Sequence, residues 1–333
     1  MTKIAINGFG RIGRPAFKVA LEKKDLEVVA INDLVETKTL AHLLKYDSTY
    51  GRYNKNIEAH KKSIFVEDKE ILCFAETEPE RLPWKDLDVD IVIESTGHFT
   101  KFEEAKKHLI AGAKKVIISA PSKSEETPTY VLGVNEDKYN PEKEDIIANS
   151  SCTTNCLAPV VKVLNDYFGV NQGLLTTCHS YTNDQRILDL PHRDLRRARA
   201  AAINIIPTTT GAARDVAKTI PELKGVLDGI SLRVPTPTVS IVDFVAVLKK
   251  KTTVEEINKT FEKEAGGKLK GILDISYEPL VSMDFKGDSH SAIVDGLSTM
   301  IIDDLVKVVA WYDNELGYAH RLIEMVEYVG KKM

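Results

Sequence analysis

Only four of the 333 residues are cysteine. That is too few for a disulfide framework, and it points to a reducing compartment, the cytoplasm. Nowhere does an apolar run approach the roughly 20 residues of a membrane-spanning helix, so no membrane partner is expected. Neither sign of charge dominates: 45 basic side chains stand against 49 acidic ones, for a net charge of −4. This balance gives no electrostatic footing for nucleic acid or an anionic surface. Repeats and low-complexity stretches are absent. The opening residues Met1 to Asn7 read directly into a strand, without signal-peptide architecture. What remains is an ordinary globular composition, 43% hydrophobic and 28% charged, of a length that suggests two domains.

Lys3 to Asn7 reads as a buried strand, followed at once by Gly8-Phe9-Gly10-Arg11-Ile12-Gly13 and a helical pattern through Leu21. This is G-x-G-x-x-G in its proper context of strand, tight turn and helix. Gly8 permits the turn, Gly10 lets backbone approach a pyrophosphate, and Gly13 allows close helix–strand packing. The helix N-terminus then suits phosphate. A second strand, Glu27 to Asp33, ends in a carboxylate twenty residues after Gly13. That acid would accept hydrogen bonds from a ribose and repel a 2′-phosphate, by roughly 4 kcal/mol at 4 Å in an effective dielectric near 20. The reading is therefore NAD rather than NADP.

Further strands are expected at Val89–Glu94, Lys115–Ser119, Tyr130–Val134 and Asp145–Ala148, with helices at Thr37–Tyr46 and Phe102–Ala111 and a hairpin-like insertion over Ser63–Phe74. Alternating strands and helices imply an α/β fold with a doubly wound parallel Rossmann sheet. Ligands lie at the carboxyl ends of such strands, which adds Thr96, Gly97 and Ser119 to the cofactor candidates.

The stretch Ala148-Asn149-Ser150-Ser151-Cys152-Thr153-Thr154-Asn155-Cys156 organises the rest. Apolar positions from Leu157 to Phe168 fit a helix, with Ser150 or Ser151 as N-cap and an expected kink at Pro159. Cys152 then lies in the first helical turn, where free N–H groups and the positive dipole end favour an anion. An ordinary thiol of pKa about 8.5 is about 3% thiolate at pH 7; a shift to about 6 gives about 90%, roughly a thirty-fold gain in nucleophile. Most lone cysteines are simply small buried hydrophobes. A zinc site would need Cys178 and His179 beside Cys152 and Cys156. Those two are adjacent on a probable strand, so only one of them can face Cys152, and no metal is expected. His179 facing Cys152 is the arrangement a nucleophilic pair requires.

Beyond this point Ser180 to Thr209 is long, irregular and rich in arginine (Arg186, Arg193, Arg196, Arg197, Arg199). It reads as a solvated face, a subunit contact or a site for anionic substrate. Pro207 to Ala213 reads as a hydroxyl-rich helix start suited to phosphate. Arg233, within a strand, needs a partner, either a carboxylate or a phosphate ligand. Strands Val239–Leu248, Ile293–Leu297 and Val306–Trp311, with helices Val254–Ala265 and Glu315–Tyr328, suggest an α+β catalytic domain on a mixed or antiparallel sheet. The expected division is residues 1–151 for cofactor and 152–314 for catalysis, with helix 315–333 packing back on the first domain.

Eight stretches in order, INGFGRIGR (Ile6 to Arg14), AINDL (Ala30 to Leu34), SCTTNC (Ser151 to Cys156), HSYTNDQ (His179 to Gln185), DLRRARAAA (Asp194 to Ala202), IPTTTGAA (Ile206 to Ala213), RVPTP (Arg233 to Pro237) and WYDNE (Trp311 to Glu315), resemble the phosphorylating glyceraldehyde-3-phosphate dehydrogenase family over essentially the whole chain. The resemblance implies a glycolytic oxidoreductase. Cys152 would attack the aldehyde of glyceraldehyde 3-phosphate, with His179 as base. NAD would accept the hydride, and inorganic phosphate would cleave the resulting thioester to 1,3-bisphosphoglycerate. It further implies Thr182, Arg197 and Arg233 for substrate, and Ser151, Thr153, Thr210 and Gly211 for the attacking phosphate. Arg11, Ile12, Asp33, Ser119, Asn183, Asn314 and Tyr318 would hold NAD, and the assembly would be a homotetramer. A sister enzyme oxidising erythrose 4-phosphate, with water in place of phosphate, is the competing expectation.

Overall fold

The computed structural model describes residues 1–333. Two compact units divide the chain: Met1–Tyr130, Lys138–Ser150 and Ala319–Met333 form one, Val131–Asp137 and Ser151–Tyr318 the other. In the first, an eight-stranded sheet runs in the order Ile146–Ala148, Lys115–Ile118, Ile91–Glu94, Thr2–Asn7, Leu26–Asn32, Lys69–Phe74, Ser63–Val66, Ile57–Ala59. The first six strands are parallel. Ser63–Val66 and Ile57–Ala59 extend the edge antiparallel, as the hairpin pattern predicts. Strands such as Ile91–Glu94 and Lys115–Ile118 are buried at every position, which is why they read as unbroken apolar runs rather than alternations.

Three expectations need correction here. Tyr130–Val134 is no strand. Thr129 makes only an isolated bridge to Ala148, and the chain then turns at Gly133 (φ +80°) while Asn135 accepts the Val131 N–H at 2.9 Å. The helix over Phe102–Ala111 is two short turns, Phe102–Ala105 and Lys107–Ile110, meeting at Lys106, whose carbonyl takes a tight bond from Leu109. Pro207–Thr209 belongs to a strand, Ile206–Thr209, and the following helix begins only at Ala212.

In the second unit the strand order is Ile206–Thr209, Leu227–Val234, Val170–Ser180, Ser240–Leu248, Leu305–Tyr312, Ala292–Asp295, Leu273–Ser276, with Met300–Ile302 added beside Leu305–Tyr312. The sheet is mixed: Val170–Ser180 is parallel to Leu227–Val234 and antiparallel to Ser240–Leu248. Ser240–Leu248 and Leu305–Tyr312 alternate buried and half-buried residues, so only one face is fully covered. That face and helices Cys152–Phe168, Ala212–Thr219 and Val254–Ala265 share one core, including Leu157, Val161, Phe244, Ile257, Phe261 and Val308. The opposite face leaves Leu174, Ile230, Met300 and Ile302 exposed. The helix of Cys152 runs unbroken through Pro159 to Phe168; the missing proline N–H removes only the bond to the Asn155 carbonyl.

Candidate active site

Ser151 caps the Cys152–Phe168 helix: its Oγ accepts the Thr154 N–H at 3.0 Å. The preceding Ser150 has φ +55° and is fully buried. A left-handed serine of this kind stores backbone strain where the chain must turn sharply into the helix. Cys152 is thereby held in the first turn, half-buried, where the backbone N–H groups of the helix start lie nearest its sulfur.

His179 reaches Cys152 from the Val170–Ser180 strand, with Nε2 3.4 Å from Sγ. Its Nδ1 lies 2.7 Å from the carbonyl oxygen of Ser180. A carbonyl can only accept, so Nδ1 carries the proton and the Nε2 lone pair faces the thiol. Arg233 Nη1 sits 3.0 Å from Nδ1 and donates to the same Ser180 oxygen at 3.3 Å. The strand register explains the trio, because His179 and Arg233 are direct neighbours on parallel strands. No carboxylate contacts Arg233, and its Nε has no hydrogen-bond partner. Of the two partners foreseen for it, the chain does not supply the carboxylate.

Electrostatics here differ from the sequence reading. Burial pushes the Cys152 thiol up, against the charge of Arg233 and the hydrogen bonds of Thr153 and of the helix N-terminus, which pull it down. Burial and then the Arg233 charge hold His179 down, to about 3. Both shifts work toward a thiol beside a neutral imidazole.

Around this pair the hydroxyls are committed in different ways. Thr153 Oγ1 is 3.0 Å from the Tyr312 hydroxyl, which is also 2.9 Å from Thr177 Oγ1. The Tyr312 ring meets His179 edge-on, with centroids 6.0 Å apart. Tyr312 was not singled out from the sequence. A tyrosine at a buried position of an alternating strand, whose hydroxyl must find a partner, was the available signal. Thr182 donates its N–H to Gln185 Oε1 at 2.7 Å. Thr210 Oγ1 accepts the Ala212 N–H at 3.2 Å. Gly211 precedes a helix that no side chain caps. Arg197 is tied to Asp184 and Asp194 and donates to the Thr209 carbonyl. Asn183 is exposed; Asn314 and Tyr318 are buried. Cys156 is fully buried one helical turn beyond Cys152. No group of three or more His, Cys, Asp and Glu side chains is gathered as a metal ion would require.

In the first unit the glycine loop has the geometry its spacing predicts. Gly8 has φ +93°, and a Cβ there would meet Thr96 N at 2.7 Å. A Cβ on Gly13 would lie 2.1 Å from the Gly8 carbonyl oxygen, whereas one on Gly10 would meet nothing within 4 Å. No side chain caps the following helix, for which Ile12 is the N-cap. Asp33 accepts the Phe9 N–H at 2.8 Å and the Val35 N–H at 3.2 Å. Arg11 is paired with Asp47 at 2.7 Å. Thr96 donates its N–H at 2.8 Å, and also its hydroxyl, to Glu94, which precedes Gly97 (φ +75°). The Ser119 N–H donates to the Glu94 carbonyl at 2.9 Å. Glu94, 1% exposed, also takes Asn7 Nδ2 at 2.5 Å and His108 Nε2 at 3.1 Å. It was missed from sequence, although an acid closing a fully apolar strand must find donors.

Comparison with known proteins places both parts of the chain in one family. The family model described as glyceraldehyde 3-phosphate dehydrogenase, NAD binding domain, matches residues 2–102, and that of the C-terminal domain matches residues 151–314. The glyceraldehyde-3-phosphate dehydrogenase of Geobacillus stearothermophilus is 60% identical over 331 residues, covering 99% of this chain and 98% of that protein. Glyceraldehyde-3-phosphate dehydrogenase 1 of Bacillus cereus is 57% identical over 333 residues, covering 100% and 99%. Glyceraldehyde-3-phosphate dehydrogenase 2 of Trichormus variabilis is 55% identical over 336 aligned positions, again covering 100% and 99%.

Proposed function

The chain belongs to the glyceraldehyde-3-phosphate dehydrogenase family, and on that premise we propose that it oxidises glyceraldehyde 3-phosphate with NAD and inorganic phosphate, through covalent intermediates on Cys152. The observation that carries this reading is the 3.4 Å contact between Cys152 Sγ and the bare Nε2 of a neutral His179. Substrate aldehyde meets the thiol, whose proton passes to Nε2 as the carbon–sulfur bond forms. Helix N–H groups at Cys152 stabilise the oxyanion. His179 returns that proton to the oxyanion, giving the thiohemiacetal hydroxyl, and would take it back at Nε2 when the carbon loses hydride, the chemistry that bound NAD would supply, so that the acyl group is left as a thioester. A cysteine suits this step because a thioester keeps the oxidation energy that phosphate captures as an acyl phosphate. Arg233, with no carboxylate of its own, and Thr182 take the C3 phosphate of the substrate, and Arg197 adds a further positive charge for the substrate. Ser151, Thr153, Thr210 and Gly211 serve the attacking phosphate. NAD, the family's cofactor, is a group whose chemistry is hydride acceptance. Gly8, Gly10, Arg11, Ile12, Gly13, Asp33, Thr96, Gly97 and Ser119 hold its dinucleotide, and Asn183, Asn314 and Tyr318 serve the nicotinamide.

We assign residues 1–151 to cofactor and 152–314 to catalysis, with helix 315–333 returning to the first. A homotetramer is supported by the exposed Leu174, Ile230, Met300 and Ile302 on the helix-free sheet face and by Ile187, Leu188, Leu195 and Ile203 along the arginine-rich segment, since apolar surface of this extent marks a contact between chains. Four unpaired cysteines fit the cytoplasm.

The deciding assay follows NADH absorbance with and without inorganic phosphate. Steady turnover is expected only with phosphate. Phosphate-independent turnover, or preference for erythrose 4-phosphate by kcat/KM, would favour the sister activity instead.

Two glycine variants separate packing from cofactor approach. Gly13→Ala forces a Cβ onto the Gly8 carbonyl and is expected to destabilise the fold by roughly 1–3 kcal/mol, the usual cost of overpacking. Gly10→Ala meets no chain atom. It should leave the melting temperature nearly unchanged, within about 0.5 kcal/mol, yet weaken NAD binding in a titration, because the new methyl group occupies the line of approach of the pyrophosphate.

A further inference from the structure

A hydrogen-bond chain joins the histidine strand to Asn314. The Ser180 N–H lies 3.1 Å from Ser240 Oγ. A backbone amide can only donate, so Ser240 accepts here, and its one proton goes on to Asn314 Oδ1 at 3.0 Å. This order decides which end of the amide faces inward. Oδ1 is bound to Ser240, and Nδ2 makes no hydrogen bond within the chain. Ser180, Ser240 and Asn314 are 0%, 1% and 5% exposed, so water does not replace any link.

The backbone leading into Ser240 is itself held out of its normal range. Val239 has φ +65°, a conformation a β-branched residue avoids unless its surroundings impose it. The imposing group is again Ser180, whose hydroxyl donates to the Val239 carbonyl at 2.8 Å. Strand pairing sets Ser240 opposite Tyr312, two residues before Asn314. One serine beside the catalytic histidine thus clamps the strained corner and, through Ser240, the amide.

We propose that Ser240 is a positioning residue for hydride transfer: by donating to Asn314 Oδ1 it commits the Asn314 amide to present N–H donors to the carboxamide oxygen of the cofactor, and so selects the nicotinamide face that receives hydride. This rests on Asn314 being the nicotinamide ligand. A ring turned over about its glycosidic bond carries its carboxamide away from Asn314, so the strength of this one hydrogen bond separates the two faces. An amide free to rotate offers donor and acceptor alternately, and the separation shrinks.

The test uses the full-length enzyme, NAD and glyceraldehyde 3-phosphate deuterated at C1, with the label located on the product NADH by proton NMR. In Ser240→Ala the KM for NAD should rise about fivefold, the worth of one ordinary hydrogen bond. Deuterium should also appear on the face that the wild type leaves unlabelled, while alkylation of Cys152 by iodoacetamide keeps its rate. Ser240→Thr, which keeps the hydroxyl, should restore both readouts. An unchanged KM and an unchanged face in folded Ser240→Ala overturn the inference. So does a folded Ser240→Thr that fails to recover the face, since the effect would then be lost packing. Should Ser240→Ala not fold, Ser240→Cys, of similar size with a weaker donor, should lie between wild type and complete loss of face selection; no change in it counts equally against the proposal. Asn314→Ala tells the two levels apart. If it too leaves KM and face untouched, the nicotinamide role of Asn314 fails and the inference falls with it. If it alters both while Ser240→Ala does not, only the role of Ser240 is lost.

Discussion

Cys152→Ser is expected to lower turnover by about 10⁴-fold or more, the scale on which removal of a covalent nucleophile is felt, while the folded state and NAD affinity stay close to wild type. A serine hydroxyl ionises far less readily than a thiol, and the base available to it is weak: His179 is held down to about 3 by burial and by the Arg233 charge. The acyl intermediate would also be an oxygen ester, which does not retain the oxidation energy that phosphate must capture. Stability should change little, because Cys152 is only half-buried at the helix start and the Ser151 cap does not depend on the sulfur. Steady-state NADH production, NAD titration and a thermal melt measure the three quantities. Substantial dehydrogenase turnover in the serine variant would remove Cys152 from the covalent role.

His179→Asn is expected to reduce kcat by about 10²- to 10⁴-fold, the usual span for a positioned general base, and to slow Cys152 alkylation, since Nε2 no longer takes the thiol proton. It also carries a pH signature with a definite sign. The folded-state value of His179, about 3, lies below the ordinary 6.5. Between those two values the unfolded chain binds the extra proton and the folded chain does not. The contribution of the neutral, buried imidazole to stability is thus fully present above about pH 6.5 and is lost as pH falls, at up to about 1.4 kcal/mol per unit. Urea unfolding of wild type at pH 7 and pH 5 should show this loss, and His179→Asn should show a shallower dependence. Equal slopes in the two proteins would mean that His179 is already charged in the fold. In the wild type, alkylation of Cys152 should keep accelerating with pH beyond the ordinary thiol range, because burial raises that group.

Much of this was legible in the residue order, for a physical reason. A G-x-G-x-x-G loop acts through its own backbone. Gly8 must take φ +93° and Gly13 must pass within contact of the Gly8 carbonyl, and both demands are local. The Cys152 helix start is equally local, since cap, first turn and thiol lie within three residues. That only one of Cys178 and His179 can face Cys152 follows from the two-residue period of a strand; that it is His179 is seen in the fold. The two sheets, one doubly wound and one mixed, were readable from runs and alternations of apolar residues.

What the order of residues leaves undetermined is which distant side chains meet and how water is excluded from them. Arg233 and His179 are paired by strand register, Tyr312 joins Thr153 to Thr177, and Ser240 bridges Ser180 and Asn314. Each of these contacts spans at least 54 residues. The absence of a carboxylate at Arg233 and the downward shift of His179 likewise follow from packing, because burial and neighbouring charge have no counterpart in local sequence. Spacing and residue type therefore singled out the candidate nucleophile, its histidine and the glycine loop. Tertiary structure alone decided their protonation and the orientation of the groups that hold them, because solvent access and register arise only when the strands are assembled.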